Sequence, residues 1–156
     1  MKRLFWAAAV YTVLGLASGL FYREYTKAHD FDDGFTQLAV MHTHLLTLGS
    51  LGFLLLLALE HTLKLTRQRR LFAAFFWIYN LGLLLTVAMM AVIGSRTVLG
   101  LTSGPALAGP AGMGHIMITI GFILLLVLTG RRVYQLTGTE PTAESERPRK
   151  PSPPAD

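Results

Sequence analysis

Four long apolar runs, separated by short polar stretches, set the plan of this chain. They extend from Leu4 to Tyr22, Leu38 to Leu59, Leu71 to Ile93 and Pro110 to Thr129. Each comes close to the ~20 residues a helix needs to cross the hydrocarbon of a bilayer. Begun at His115, the fourth run would be short. Pro110 completes it, because proline at the first helical position gives up no hydrogen bond. The pattern predicts an all-α fold: an integral membrane four-helix bundle, up-down-up-down, over residues 1–136. Residues 137–156, rich in Pro, Ser, Glu and Arg, read as a disordered tail too polar to fold alone.

The distribution of charge orients the bundle. Lys2 and Arg3 precede span one, Lys64, Arg67, Arg69 and Arg70 separate spans two and three, and Arg131 and Arg132 follow span four. The other two connections carry Arg23, Lys27 and Arg96, the first of them with Glu24, Asp30, Asp32 and Asp33. Basic residues mark the cytoplasmic side, so both termini are predicted to be cytoplasmic, in the inner membrane. Trp6, Tyr22 and Tyr25 fit interfacial aromatic belts. Span one also has the basic start and small residues (Ala17, Ser18, Gly19) of a cleaved signal, but its apolar run is long and bulky residues follow at once. Gly15 and Gly19 form a G-x-x-x-G pair suited to close helix contact.

Composition narrows the chemistry. Hydrophobic residues make up 52% of the chain, too many for a small soluble domain to hide, so lipid is its solvent. The net charge of +5 sits at span ends and in the tail, not as a stripe on a folded face, which argues against nucleic acid. The absence of cysteine excludes disulfides, thiolate metal sites and c-type haem attachment. No nucleophile–base pair, phosphate loop or acid–base carboxylate pair marks an enzyme, and no carboxylate is expected to be buried in the spans. The partners implied are the bilayer and either further copies of the chain or a larger membrane complex.

The histidines carry the functional signal. "VMHTHLLTLGSLGF" sets His42 and His44 inside span two, and "MGHIM" sets His115 inside span four. Ionisable residues within spans are rare and point to function. His42 lies about four residues into its span and His115 about five, or ~6 and ~7 Å at 1.5 Å per residue. On this reading both imidazoles lie at similar depth near the outer face. His42 and His44, two positions apart, point ~200° from each other, so one ion cannot take both from a regular helix. Gly49, one heptad beyond His42, leaves room for a flat group and favours His42. The alternative is packing, with imidazoles bonded to Thr43, Thr47 or Thr119. His29 reads as a solvated loop residue and His61 as interfacial.

A haem b with axial imidazoles from two helices suits a bundle. His42 and His115 are the expected ligands, His44 the alternative, with Arg96 and Arg23 to pair propionates. Two axial ligands leave no open position, which favours electron transfer over gas sensing or haem carriage. Copper is the second candidate, because Met113 and Met117 flank His115, Met41 adjoins His42, and Met89 and Met90 lie in span three. An accessory or structural subunit without cofactor is the third.

"YTVLGL" at Tyr11 and "YNLGLL" at Tyr79 each open a hairpin whose second helix carries histidine and then Gly-Phe, which suggests a tandem duplication. "HTHLLTLGSLGF" resembles the second helix of the catalytic subunits of haem-copper oxidases, most closely the bacterial nitric oxide reductases. There a His-Thr-Asn-Leu-Leu type motif supplies an axial ligand of low-spin haem b. His42, Thr43, Leu45 and Leu46 match it, and His44 replaces the Asn. The resemblance implies a haem ligand at His42. It covers about a dozen residues, and the chain lacks the many spans and further histidines of oxygen or nitric oxide reduction. Over nearly all of residues 1–135 the chain resembles small four-span bacterial membrane proteins of unknown function, which share "HTHLL" at span two and "GHI…GF" at span four.

Overall fold

The computed structural model describes residues 1–31 and 34–138. Four helices account for nearly all of them: α1 (Lys2–Ala28), α2 (Leu38–Leu63), α3 (Arg69–Val98) and α4 (Pro105–Thr137). A 3₁₀ turn, Leu65–Arg67, joins α2 to α3. All four helices are long and apolar enough to cross a membrane, with mean hydropathy of 1.7 to 2.3 in their most apolar stretches. No more than a third of those stretches is buried inside the protein, so most of the apolar surface faces outward, as lipid requires. This is a multi-pass membrane protein.

Each helix runs past its apolar run into polar residues, so the spans lie inside longer helices. The largest difference is at α4. Pro105, not Pro110, takes the first helical position, and Pro110 lies within the helix. The missing Pro110 amide leaves the Ala106 carbonyl without its usual partner, a vacancy tolerated because Ala106 is exposed. Of the expected tail, Thr137 closes α4 and residues 139–156 lie outside the described residues.

Consecutive helices pack antiparallel through glycines. A Cβ built on Gly49 of α2 would meet the Tyr11 ring of α1 at 2.5 Å, and one on Gly15 would meet Leu46 at 2.5 Å. Gly19, the other half of the G-x-x-x-G pair, lies opposite His42. In the second hairpin, a Cβ on Gly121 of α4 would reach the Tyr79 side chain of α3 at 2.9 Å, and one on Gly82 would reach the Ile118 nitrogen at 2.8 Å. Between the hairpins, a Cβ on Gly94 of α3 would meet the Leu38 nitrogen of α2 at 2.7 Å, and the Thr36 hydroxyl donates to the Gly94 carbonyl at 2.8 Å. Without a hydrophobic drive between helices in lipid, such close approach is what holds them.

The middle of α2 is not α-helical. Leu45–Leu51 forms π turns, directly after His44. Polar contacts converge there. The Tyr79 hydroxyl donates to the Leu48 carbonyl at 3.0 Å, and the Ser50 and Thr12 hydroxyls share a bond of 2.6 Å. Tyr11 donates to Asn80 Oδ1 at 2.8 Å and stacks on Phe53, tying α1 to both neighbours.

At the end that carries the termini, which is also the basic end, Glu60 is buried at 7% exposure. It stands one residue past the apolar run that ends at Leu59, so the expectation that the spans bury no carboxylate does not cover it. Glu60 accepts from the Thr66 amide at 3.0 Å and from the Thr66 hydroxyl, and so closes the turn after Lys64, a left-handed residue.

Two substitutions test this packing. A Cβ at Gly114 would lie 2.9 Å from the Thr86 nitrogen, which is backbone and cannot step aside. Gly114→Ala is expected to lower stability by about 1–3 kcal/mol, whereas Gly112→Ala, with open space around it, should be neutral or slightly stabilising. Tyr79→Phe keeps the ring and loses the bond to Leu48, at a cost of about 0.5–1.5 kcal/mol. Unfolding in a detergent–denaturant titration measures all three, and an unchanged Gly114→Ala would refute the close contact.

Candidate functional site

Tyr79 provides a common level for the histidine-bearing helices. Its side-chain base packs against Gly121 of α4 and its hydroxyl reaches Leu48 of α2. From Gly121, His115 stands six positions toward the end opposite the termini, or ~9 Å. From Leu48, His42 stands six positions and His44 four in the same direction, or ~9 and ~6 Å. All three imidazoles therefore lie in the half of the molecule away from the termini.

Their directions differ. On α2, the residues that meet α1 include His42, Leu45, Leu46, Gly49 and Ser50, and those that meet α3 include Leu38 and Leu48. His44 follows Met41 by three positions and precedes Leu48 by four, so it lies along the α3 stripe on the side away from α1. On α4, Gly114, Ile118 and Gly121 meet α3. His115 shares its helix side with Phe122, whose ring packs edge-on against Tyr79 at 5.4 Å, on the flank where Tyr79 passes across to α2. His44 therefore lies on the side of α2 away from α1, and His115 on the flank of α4 that carries Phe122. The main packing of α4 on α2 involves that helix from Gly52 onward, toward the basic end. His44 is half-buried and His115 is exposed.

The two imidazoles are held alike. His44 Nδ1 bonds the Val40 carbonyl at 2.9 Å and His115 Nδ1 the Ala111 carbonyl at 3.0 Å. A carbonyl only accepts, so in both rings Nδ1 carries a proton, and in the neutral ring Nε2 then holds the lone pair. That tautomer, with Nδ1–H fixed on backbone, is the one in which imidazole ligates a metal. The hydroxyls are engaged elsewhere, Thr43 with Val40 and Thr119 with the His115 carbonyl. They do not pair with imidazoles.

His42 sits differently. It is half-buried against Gly19, and its Nδ1 is buried without a partner among the described residues. The niche that Gly49 opens is filled by the Tyr11 ring, so the flat group lying there is part of the chain itself.

The remaining candidates scatter. Arg96, at the far end of α3, donates through Nη2 to the Thr102 carbonyl at 2.7 Å and keeps Nε buried without a partner. Arg23 pairs with Glu24 at 3.5 Å on the surface of α1. Met113 and Met117 each lie two positions from His115 and so point to the other side of α4. Met41, Met89 and Met90 are buried. Among the described residues no three His, Asp or Glu side chains gather into a metal-binding group. His29 is exposed, bonded to the Tyr25 carbonyl at 2.8 Å, and His61 is exposed.

Missed by sequence reasoning are the role of Tyr79 as the link to α2 and that of Tyr11 as the filler of the Gly49 niche. The shared "Y…LG" of the two hairpins is the signal that pointed to them.

Neither a curated protein nor a solved structure matches the chain. Residues 1–132, which take in all four apolar runs and every histidine discussed above, match a family described as protein of unknown function (DUF2871), and the chain belongs to that family.

Proposed function

We propose that the chain is a b-type haem protein of the bacterial cytoplasmic membrane whose task is electron transfer. It crosses the bilayer four times, up-down-up-down, with both termini and the basic end in the cytoplasm and the intramembrane histidines toward the outer face. What supports the haem reading is that His44 on α2 and His115 on α4 each tie Nδ1–H to a carbonyl of their own helix, which leaves Nε2 to serve as a ligand. A group with two axial sites suits that pair. Haem bound there would supply a one-electron couple, and two imidazoles would fill both axial positions and keep substrates off the iron.

The resemblance of span two to the oxidase helix favours His42 as the ligand on α2, whereas the rotation of α2 favours His44. A cofactor-free accessory subunit is the second reading. The Tyr11 ring in the Gly49 niche favours it, since α1 and α2 already pack there without a ligand.

The absorption spectrum of the purified protein from haem-sufficient cells tests the proposal. A Soret band with sharp α and β bands on reduction is expected. His115→Ala and His44→Ala should each abolish or shift the low-spin spectrum, and His42→Ala should leave it. Loss in His42→Ala alone would move the ligand to the α1 side of α2. A featureless spectrum in folded protein overturns the haem reading, and copper without haem on metal analysis would replace it. Because the chain has no cysteine, single cysteines also test the topology. In intact cells, Ser103→Cys should react with a membrane-impermeant maleimide and Arg70→Cys should not; the reverse pattern would invert the protein.

A further inference from the structure

At the basic end, the 3₁₀ turn, the start of α3 and the last turns of α4 enclose a polar cleft of about 470 Å³. Arg67, Gln68 and Arg132 line it. Arg132 is 6% exposed. Its Nε donates to the Leu63 carbonyl at 2.7 Å and its Nη1 to Gln135 Oε1 at 2.6 Å, both neutral acceptors. No carboxylate among the described residues pairs with it. The one ion pair there, Arg23–Glu24, lies at the opposite end, and buried Glu60 is engaged by Thr66. Burying a guanidinium without a counter-charge is costly, and an anion removes that cost.

The neighbouring groups also donate. Gln68 precedes the first turn of α3 and accepts from the Phe72 amide at 2.9 Å through its backbone carbonyl, while its side-chain Nε2 is buried without a partner. α3 has no side-chain cap and no acidic residue in its first turn. Its unsatisfied amides and the positive end of its dipole therefore remain for a ligand.

We propose that this cleft is a binding site for a phosphate group, held by Arg132 and Arg67 with the Gln68 amide and the start of α3 completing the donor set. The planar fork of arginine matches phosphate oxygens. Basic pockets between membrane helices at the cytoplasmic surface suit anionic lipid headgroups, and free phosphate offers the same oxygens.

The test uses the full chain and two probes. Inorganic phosphate is titrated into detergent-solubilised protein by calorimetry. Lipid retention is read by native mass spectrometry after extraction from nanodiscs containing phosphatidylglycerol and phosphatidylcholine. Preferential retention of phosphatidylglycerol assigns the headgroup; phosphate binding without lipid preference assigns the free anion. In either case Arg67→Ala and Gln68→Ala should each weaken binding about ten-fold while thermal unfolding stays unchanged. Arg132→Lys, which keeps the charge and loses the fork, should weaken it too. The site is refuted if folded wild type shows neither phosphate binding nor lipid preference, or if Arg67→Ala and Gln68→Ala bind as wild type does.

Discussion

The bond from the Tyr79 hydroxyl to the Leu48 carbonyl is the contact on which the rest of the arrangement turns. Lipid covers apolar helix surface as well as another helix does, so apolar contact alone fixes neither the spacing nor the rotation of spans. Tyr79 supplies both. Its base lies on Gly121, where the missing side chain lets α3 and α4 approach, and its tip reaches into the π turns of α2. A carbonyl left bare in hydrocarbon costs several kcal/mol, which gives this hydroxyl leverage over the rotation of α2. That rotation decides which histidine faces α1 and which faces away from it.

The two hairpins repeat one device. Tyr11 lies on Gly49 as Tyr79 lies on Gly121, and Gly15 meets Leu46 as Gly82 meets Ile118. By these contacts Gly49 answers to Gly121, whereas the Gly-Phe pairs of the sequence would match Gly52 to Gly121. The two registers differ by three positions. In the contact register His42 answers to Gly114. Each meets the preceding helix, His42 at Gly19 and Gly114 at Thr86, with the small residue on opposite sides of the pair. His42 thus occupies a packing position, and His44 does not.

The four spans were legible because hydrocarbon thickness imposes a length that composition must respect. Their ends were not, because hydropathy marks where lipid is, not where the helix stops. Arg69 and Arg131 are helical and polar at once. Pro110, expected as the first helical residue, lies inside a helix that begins at Pro105. At the site, the intramembrane histidines could be read from the sequence. The choice between His42 and His44 could not, since it rests on which face of α2 meets α1, and Gly19 comes to His42 from that other helix. The partner of Gly49 was equally hidden, because Tyr11 comes from a different helix. Glu60 escaped notice because Thr66, its partner, is brought back to it only by the left-handed turn at Lys64.

The bond from Nδ1 to the carbonyl four residues back is no signature by itself, since His29 makes it in a connection rich in acids. Its weight comes from place. In water, the free Nε2 of such a ring is satisfied by solvent; beside lipid it is an unspent acceptor, and the cost rises with depth. His44 and His115 each carry that acceptor on a helix surface outside the glycine contacts, half-buried in the one case and exposed in the other. A packing histidine is drawn into a helix contact, as His42 is against Gly19. The two that stand outside such contacts are the ones whose acceptors remain for a ligand, and that is the physical ground for setting them apart from His42.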